Sequence, residues 1–235
     1  MIRKEQVVVL AGGMGTRLGK VSQSCAKILL PVDRRAFLYH LIDPLVSQGY
    51  RRFHFCLGHL AQQVVSHLER LPPEFEWTFQ ADPTPRGTGG ALRAAGPMID
   101  DQFLLVLGDT YLDAPFPDLF RQLGPSVPAA MLVTSKPSGV TPNVRVSNGK
   151  VVQYSKGGVQ PESPADEPLT DTGAAAFSRS CLRLVADVPA PFGLEVLFQR
   201  LIARGELAAV VTSTRFYDIG TPAGYDAFAD DFAGW

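Results

Sequence analysis

Short apolar runs alternate with amphipathic stretches through the first 135 residues, and that rhythm leaves few folds open. Residues 7–11 (VVVLA), 52–57 (RFHFCL), 103–107 (FLLVL) and 129–133 (AAMLV) have strand length, and 76–79 is a weaker candidate. Continuous apolar runs of this length suit strands buried on both faces. Between them, 36–48 sets Phe37, Leu38, Leu41, Ile42 and Leu45 at helical period and stops at Gly49. Residues 61–68, 88–95 and 117–122 also read as helices. Strands alternating with helices predict βαβ units: an α/β fold with a mostly parallel sheet flanked by helices.

After about residue 135 the rhythm changes. Residues 144–146 and 151–154 flank Asn148-Gly149, a hairpin signal. Residues 157–168 are rich in Pro, Gly and acids and read as a surface loop. A strand at 173–177, a helix at 193–203 and a strand at 208–211 follow. Thr221-Pro222 then opens a last helix, as an N-cap followed by a proline. There is no internal repeat and no long linker, so residues 1–235 read as one domain with halves of about 1–135 and 136–235, the second β-rich.

Bulk properties narrow the function. A net charge of −1 leaves no basic excess for nucleic acid or anionic membranes. The apolar runs are far too short to span a bilayer, and the N-terminus lacks a secretory pattern. Cys25, Cys56 and Cys181 are odd in number and widely spaced, unlike a disulfide framework or a zinc site. The expectation is a soluble cytoplasmic protein. Apolar residues in 228–235 (FADDFAGW) leave room for packing on a second copy, a homo-oligomer.

Residues 10–27, LAGGMGTRLGKVSQSCAK, end a strand run in glycines. The stretch fits neither G-x-x-x-x-G-K-[ST] nor G-x-G-x-x-G. Gly12, Gly13 and Gly15 permit close backbone approach, Thr16 adds a hydroxyl and Arg17 a cationic fork. Such a loop is an anion cradle, or an ordinary turn with a surface arginine. Lys27, entering the apolar AKILLP, either snorkels or points into a site. Asp109 follows the most apolar strand, where ligands of open α/β sheets sit and where a carboxylate can hold Mg²⁺; an ordinary Gly-Asp-Thr turn reads the same way. Asp218, in YDIGTP, is a second acid or a helix-terminal charge.

Taken together, LAGGMGTRL, Lys27, GTGGAL at 87–92, Gly108-Asp109-Thr110 and DIGTP at 218–222 resemble the sugar-1-phosphate nucleotidyltransferases in order and approximate spacing. The short length and the GTGGAL and GDT variants look most like the D-glycero-D-manno-heptose 1-phosphate guanylyltransferases. The resemblance implies a Rossmann-like fold of the nucleotide-diphospho-sugar transferase type, with a nucleotide-binding first half and a sugar-phosphate-binding second half. The implied substrates are a nucleoside triphosphate, GTP favoured, and a sugar 1-phosphate, heptose 1-phosphate favoured. The implied cofactor is Mg²⁺.

The resemblance also assigns roles. Leu10, Ala11, Gly12 and Gly13, with Gly87, Thr88 and Gly89, would bracket the nucleobase, and Gln80 would reach a base edge. Gly15, Thr16 and Arg17 would hold the triphosphate. Arg17 and Lys27 would stabilise the transferring phosphate, and Asp109 and Asp218 would share the metal. Lys156, in Tyr154-Ser155-Lys156, which resembles the family's aromatic-x-x-Lys segment, would take the sugar phosphate. Asp171, Thr172, Gly173 and Glu195 would lie near the sugar. Four local departures stand out: Cys25-Ala26 before Lys27, Arg86 before Gly87, Ser155 before Lys156, and Pro142-Asn143 in place of Tyr-Gly. Competing readings are uridylyl or other transfer to a hexose, amino-sugar or cyclitol 1-phosphate, a non-catalytic nucleotide or sugar sensor, and a molybdopterin guanylyltransferase-like enzyme. The DIGTP ending favours the sugar branch. A glycosyltransferase would hold its metal with Asp-x-Asp, which is missing after Asp109.

Overall fold

Val7 to Leu10 are each at most 8% exposed, because both faces of their strand are covered. Val7 and Val9 enter one apolar cluster, Val8 and Leu10 another, as the period-2 alternation of a strand requires. Fully burying such a side chain contributes roughly 1.5–3 kcal/mol. The structure is a computed structural model and describes residues 2–13, 15, 24–136, 140–161 and 167–232.

In chain order the strands are β1 (Gln6–Ala11), β2 (Pro31–Val32), β3 (Arg35–Ala36), β4 (Arg52–Leu57), β5 (Glu76–Ala81), β6 (Gln102–Leu107) and β7 (Thr110–Tyr111). They continue with β8 (Ala129–Thr134), β9 (Val144–Ser147), β10 (Lys150–Tyr154), β11 (Thr170–Ser178), β12 (Leu207–Thr212) and β13 (Tyr217–Asp218). Among the described residues, the α-helices are α1 (Phe37–Ser47), α2 (Ala61–Leu68), α3 (Gly87–Ala95), α4 (Pro117–Arg121), α5 (Leu194–Ala203) and α6 (Pro222–Phe232).

Among the described residues, nine strands form one sheet in the order β5-β4-β1-β6-β11-β8-β12-β10-β9. The block β5-β4-β1-β6 is parallel, with Leu10 level with Cys56 on one side and Leu107 on the other. Beyond it the sheet is mixed: β11 runs antiparallel to β6 and β8, and β12 runs parallel to β8. Inserting β11 between β6 and β8 joins the two halves of the chain in a single sheet. Apolar residues of α1, α2 and α6 cover one face, those of α3 and α5 the other. The fold is therefore the expected α/β class, a large mostly parallel sheet between helical layers.

The two-residue ladders β2–β3 and β7–β13 carry too little periodicity to read from sequence. The β11 strand starts three residues before the expected 173, because an irregularity between Asp171 and Ala175 breaks its alternation. The expectation of free apolar residues at 228–235 fails at Phe228. That ring is fully buried against Phe37, Tyr111 and Phe232 of the same chain. Among the described residues, no helix is long and apolar enough to cross a membrane.

Candidate active site

The parallel block ends its four strands on one edge, and a cleft of about 460 Å³ opens there. Each strand delivers a loop to it: Gly12 and Gly13 after β1, Gly58 and His59 after β4. Asp82 follows β5 and Asp109 follows β6. Leu10 and Ala11 line the same cleft at the end of β1. Loops here must approach closely. A Cβ on Gly58 would stand 2.5 Å from the Gly12 carbonyl oxygen, and one on Gly108 2.8 Å from the Ala11 Cβ. Gly13 is different: a Cβ there would meet nothing within 4 Å. Gly15 adopts φ +64, a left-handed turn that favours glycine. Thr16 and Arg17 lie outside the described residues.

Lys27 begins a short 3₁₀ turn and points into the cleft. Its Nζ lies 2.5 Å from Asp109 Oδ2, and its side chain is 12% exposed, which decides against snorkelling. The segment before it is held by Gln63: Oε1 accepts from the Ala26 N–H at 3.0 Å, and Nε2 donates to the Ser24 carbonyl at 3.0 Å. Gln63 carries no motif and left no signal to read in the sequence. Asp109 and Asp218 are brought alongside by the β7–β13 ladder, where Asp218 pairs with Thr110 and the Ile219 N–H donates to the Asp109 carbonyl. Asp218 Oδ1 accepts from the Gly220 N–H at 2.7 Å, and Thr221 Oγ1 from the Gly224 N–H at 3.1 Å, so the capping chemistry at the start of α6 is present too.

Two assignments from the sequence need correction. Gln80 does not line the cleft: its amide donates to the Ala91 carbonyl at 2.9 Å and ties β5 to α3. Thr172 is 1% exposed, and its hydroxyl donates to the Leu132 carbonyl inside the sheet at 2.9 Å, so it is sealed from any sugar. The resemblance placed Thr172 near the sugar, but at the irregular start of β11 its hydroxyl turns into the sheet instead.

The GTGG segment has two roles. Gly87 and Thr88 line the cleft, but Gly89 is buried. The N–H groups of Gly89 and Gly90 donate to the Phe192 carbonyl at 3.0 and 3.2 Å. A Cβ on Gly87 would stand 2.3 Å from that same oxygen. Thr88 Oγ1 accepts the Leu194 N–H at 2.9 Å, at the first residue of α5.

The next residue on α5 is Glu195, whose carboxylate lies 2.8 Å from Lys156 Nζ. Asp171 Oδ1 accepts from the Gly173 N–H at 2.9 Å and Oδ2 from the Tyr154 hydroxyl at 3.3 Å. Asn143 Oδ1 accepts the Asp171 N–H at 2.8 Å. Burial pushes the Asp171 carboxyl up to about 6, against the lowering pull of these donors and of Lys156. Burial also raises the Tyr154 phenol, reinforced by Asp171. Gly173 takes φ +76 in the irregular stretch, and a Cβ there would sit 3.0 Å from Leu107 Cδ1 and 3.2 Å from Thr110 Oγ1. The break in β11 thus abuts the strand that carries Asp109. Lys156 lies beside Glu195 and close enough to Asp171 to pull on its carboxyl; Asn143 was visible only as a departure from the resembled pattern.

The sequence also missed the pair Asp82–Arg86, where Arg86 Nε donates to Asp82 Oδ1 at 2.6 Å on the cleft wall. Asp82 directly follows a parallel strand end, the position that ligands favour, and that was the available signal.

Comparison with known proteins places the chain among nucleotidyltransferases. The UTP–glucose-1-phosphate uridylyltransferase AglF of Haloferax volcanii is 31% identical over 129 residues, 54% of this chain and 53% of that protein. The D-glycero-alpha-D-manno-heptose 1-phosphate guanylyltransferase of Campylobacter jejuni is 23% identical over 108 residues, 46% of this chain and 49% of that protein. The chain matches about half the length of these two curated relatives. The crystal structure of HddC from Yersinia pseudotuberculosis complexed with GMP-PN superposes with a TM-score of 0.79 at 26% identity, over 97% of this chain and 99% of that one. Residues 7–206 match the family described as the MobA-like NTP transferase domain, and the chain belongs to that family.

Proposed function

We propose that the protein transfers a nucleotidyl group from a nucleoside triphosphate to a sugar 1-phosphate, with GTP and a heptose 1-phosphate as the favoured pair. An oxygen of the sugar phosphate attacks the α-phosphorus, a new P–O bond forms, the bond to the β-phosphate bridge breaks, and pyrophosphate leaves. The observation that carries this reading is the Lys27–Asp109 pair at the end of β6, in the same cleft as the open glycine turn after β1. Lys27 neutralises charge on the transferring phosphate, and the loop N–H groups position the anion. Arg17 and Thr16 complete the triphosphate cradle in this reading. Lys156, Glu195, Asp171 and Tyr154 form the sugar-phosphate side. Full-length likeness to HddC complexed with GMP-PN supports a guanine nucleotide, and the heptose guanylyltransferase relative supports the sugar.

The donor set for a divalent cation is Asp109 and Asp218, two carboxylates on adjoining strand ends, and hard oxygen ligands of this kind suit Mg²⁺. When bound, the ion would offset negative charge on the phosphates. The proposed setting is the cytoplasm, where nucleoside triphosphates are supplied.

The test is pyrophosphate release from five nucleoside triphosphates against a panel of sugar 1-phosphates that includes D-glycero-D-manno-heptose 1-phosphate. Release in the GTP–heptose cell, stronger than elsewhere, is expected. Strong release only with UTP and a hexose 1-phosphate would replace both favoured substrates and keep the reaction. Nucleotide binding with no release anywhere would overturn the reaction in favour of a sensor.

A further inference from the structure

We propose that Asp82 and Arg86 read the base edge of the nucleotide and make the cleft selective for guanine; this rests on the nucleotidyl-transfer reading above. Both side chains line the cleft, and they sit after β5, at its outer edge. Asp109 follows β6, three strand positions away, and Lys27 reaches it there through the ion pair described above. At about 4.8 Å per strand spacing the two pairs stand about 14 Å apart, which leaves the length of a nucleoside between them. The wall between is apolar at Leu10, Cys56 and Ala91, a surface for a flat ring.

The chemistry of the pair selects the base. Arg86 Nε holds Asp82 Oδ1 at 2.6 Å. Among the described residues nothing else engages Asp82 Oδ2 or the Arg86 Nη groups. The pair therefore offers a carboxylate acceptor beside guanidinium donors. Guanine presents the complement in one edge: O6 accepts, and N1–H and the N2 amine donate. Uracil would turn its O2 acceptor toward the carboxylate. Cytosine and adenine carry an acceptor where guanine carries N1–H. The side chain of Asp82 is only 14% exposed, so a mismatched base leaves its charge poorly solvated.

The experiment compares kcat/KM for GTP, inosine triphosphate, which lacks the N2 amine, and UTP, in the wild type and in Asp82→Asn and Arg86→Leu. For the wild type, inosine triphosphate should fall about 10- to 100-fold below GTP, the worth of a hydrogen bond to a charged group. In Asp82→Asn the GTP-to-inosine ratio should move toward one, and in Arg86→Leu the GTP-to-UTP ratio should shrink. Pyrophosphate release with equal use of GTP and inosine triphosphate by the wild type would overturn the base reading and leave the transfer reaction standing. So would unchanged ratios in both variants. The wild-type arm needs no variant to fold. A protein that binds GTP more tightly than inosine triphosphate in calorimetry, yet releases no pyrophosphate, would support base reading and defeat the transfer reaction.

Discussion

Two glycine-rich segments meet at the cleft, 10–13 and 87–90, and the physical reasons for their glycines are opposite. At Gly13 a side chain would meet open space, so the missing Cβ leaves room in the cleft. At Gly87 and Gly89 a side chain would collide with the backbone of Phe192 and Gly193, so the missing Cβ admits another part of the same chain. The first segment thus keeps open space at Gly13 in the cleft that Lys27 and Asp109 also line. The second is a docking point between the halves, with Thr88 as its hydrogen-bonding contact. A glycine motif is thus no measure of phosphate binding until one knows what occupies the space of its Cβ atoms.

The sharpest way to break this comparison lies beside the first segment. If the 10–13 loop and its neighbours carry the charge chemistry, Lys27→Ala or Asp109→Asn should lower kcat about 10²- to 10³-fold, the range for removing one preorganised electrostatic group. The fold should survive, because the pair sits at a strand end and outside both apolar clusters. Pyrophosphate release and far-ultraviolet circular dichroism measured together check this; full turnover in either variant contradicts the assignment.

The glycines themselves come next. Gly89→Ala puts a Cβ 2.6 Å from the Gly193 carbonyl oxygen and equally close to the Phe192 ring, and should cost about 3 kcal/mol in urea unfolding. Gly87→Ala adds a left-handed φ of +71 to a contact of 2.3 Å and should cost at least as much. Gly13→Ala should stay within about 0.5 kcal/mol of wild type, yet weaken nucleotide binding. Equal destabilisation at positions 13 and 89 would erase the distinction between the two segments.

On the sugar side, Asp171 titrates from an unperturbed value of 3.8 up to about 6, because burial disfavours its charged form. A raised pKa in the folded state means that the native protein binds the proton more tightly than the unfolded chain. The associated stability is full below pH 4 and is lost as pH rises through 6. A sealed site would lose about 3 kcal/mol over that window; Asp171 keeps some solvent contact, so about 2 kcal/mol is expected. Asp171→Asn should flatten the dependence, measured as unfolding midpoints at pH 4.5, 5.5 and 7. A wild-type profile already flat from pH 4 to 7 would contradict it.

The sequence carried the strand runs, the helix periods and the placement of Asp109 at a strand end, because buried parallel strands and amphipathic helices write themselves as period and composition. It also carried Lys27, once an apolar segment was seen to begin at a lysine. It could not carry Thr172, whose direction depends on an irregularity in β11 that only the pairing with β8 reveals. Gln80 looked free because its acceptor, the Ala91 carbonyl, is eleven residues away on another element. Asp82–Arg86 was overlooked because an acid and a base four apart at a helix start are common on solvated surfaces.

The smallest expected effect tests the joint between the two regions. Thr88 belongs to the nucleotide-side segment, yet its Oγ1 accepts the first N–H of α5, one residue before Glu195. Losing that acceptor leaves a helix-terminal N–H without its partner, as loss of a cap does, and should cost about 1 kcal/mol. The functional consequence should appear on the other side of the cleft. Thr88→Ala lets the start of α5 shift and with it the Glu195–Lys156 pair, so KM for the sugar phosphate should rise severalfold while KM for the nucleoside triphosphate stays nearly constant. Thr88→Ser, which keeps the acceptor, should restore the wild-type value. If Thr88→Ala raised only the nucleotide KM, the hydroxyl would be a ligand contact of the first region and not a tie between the two.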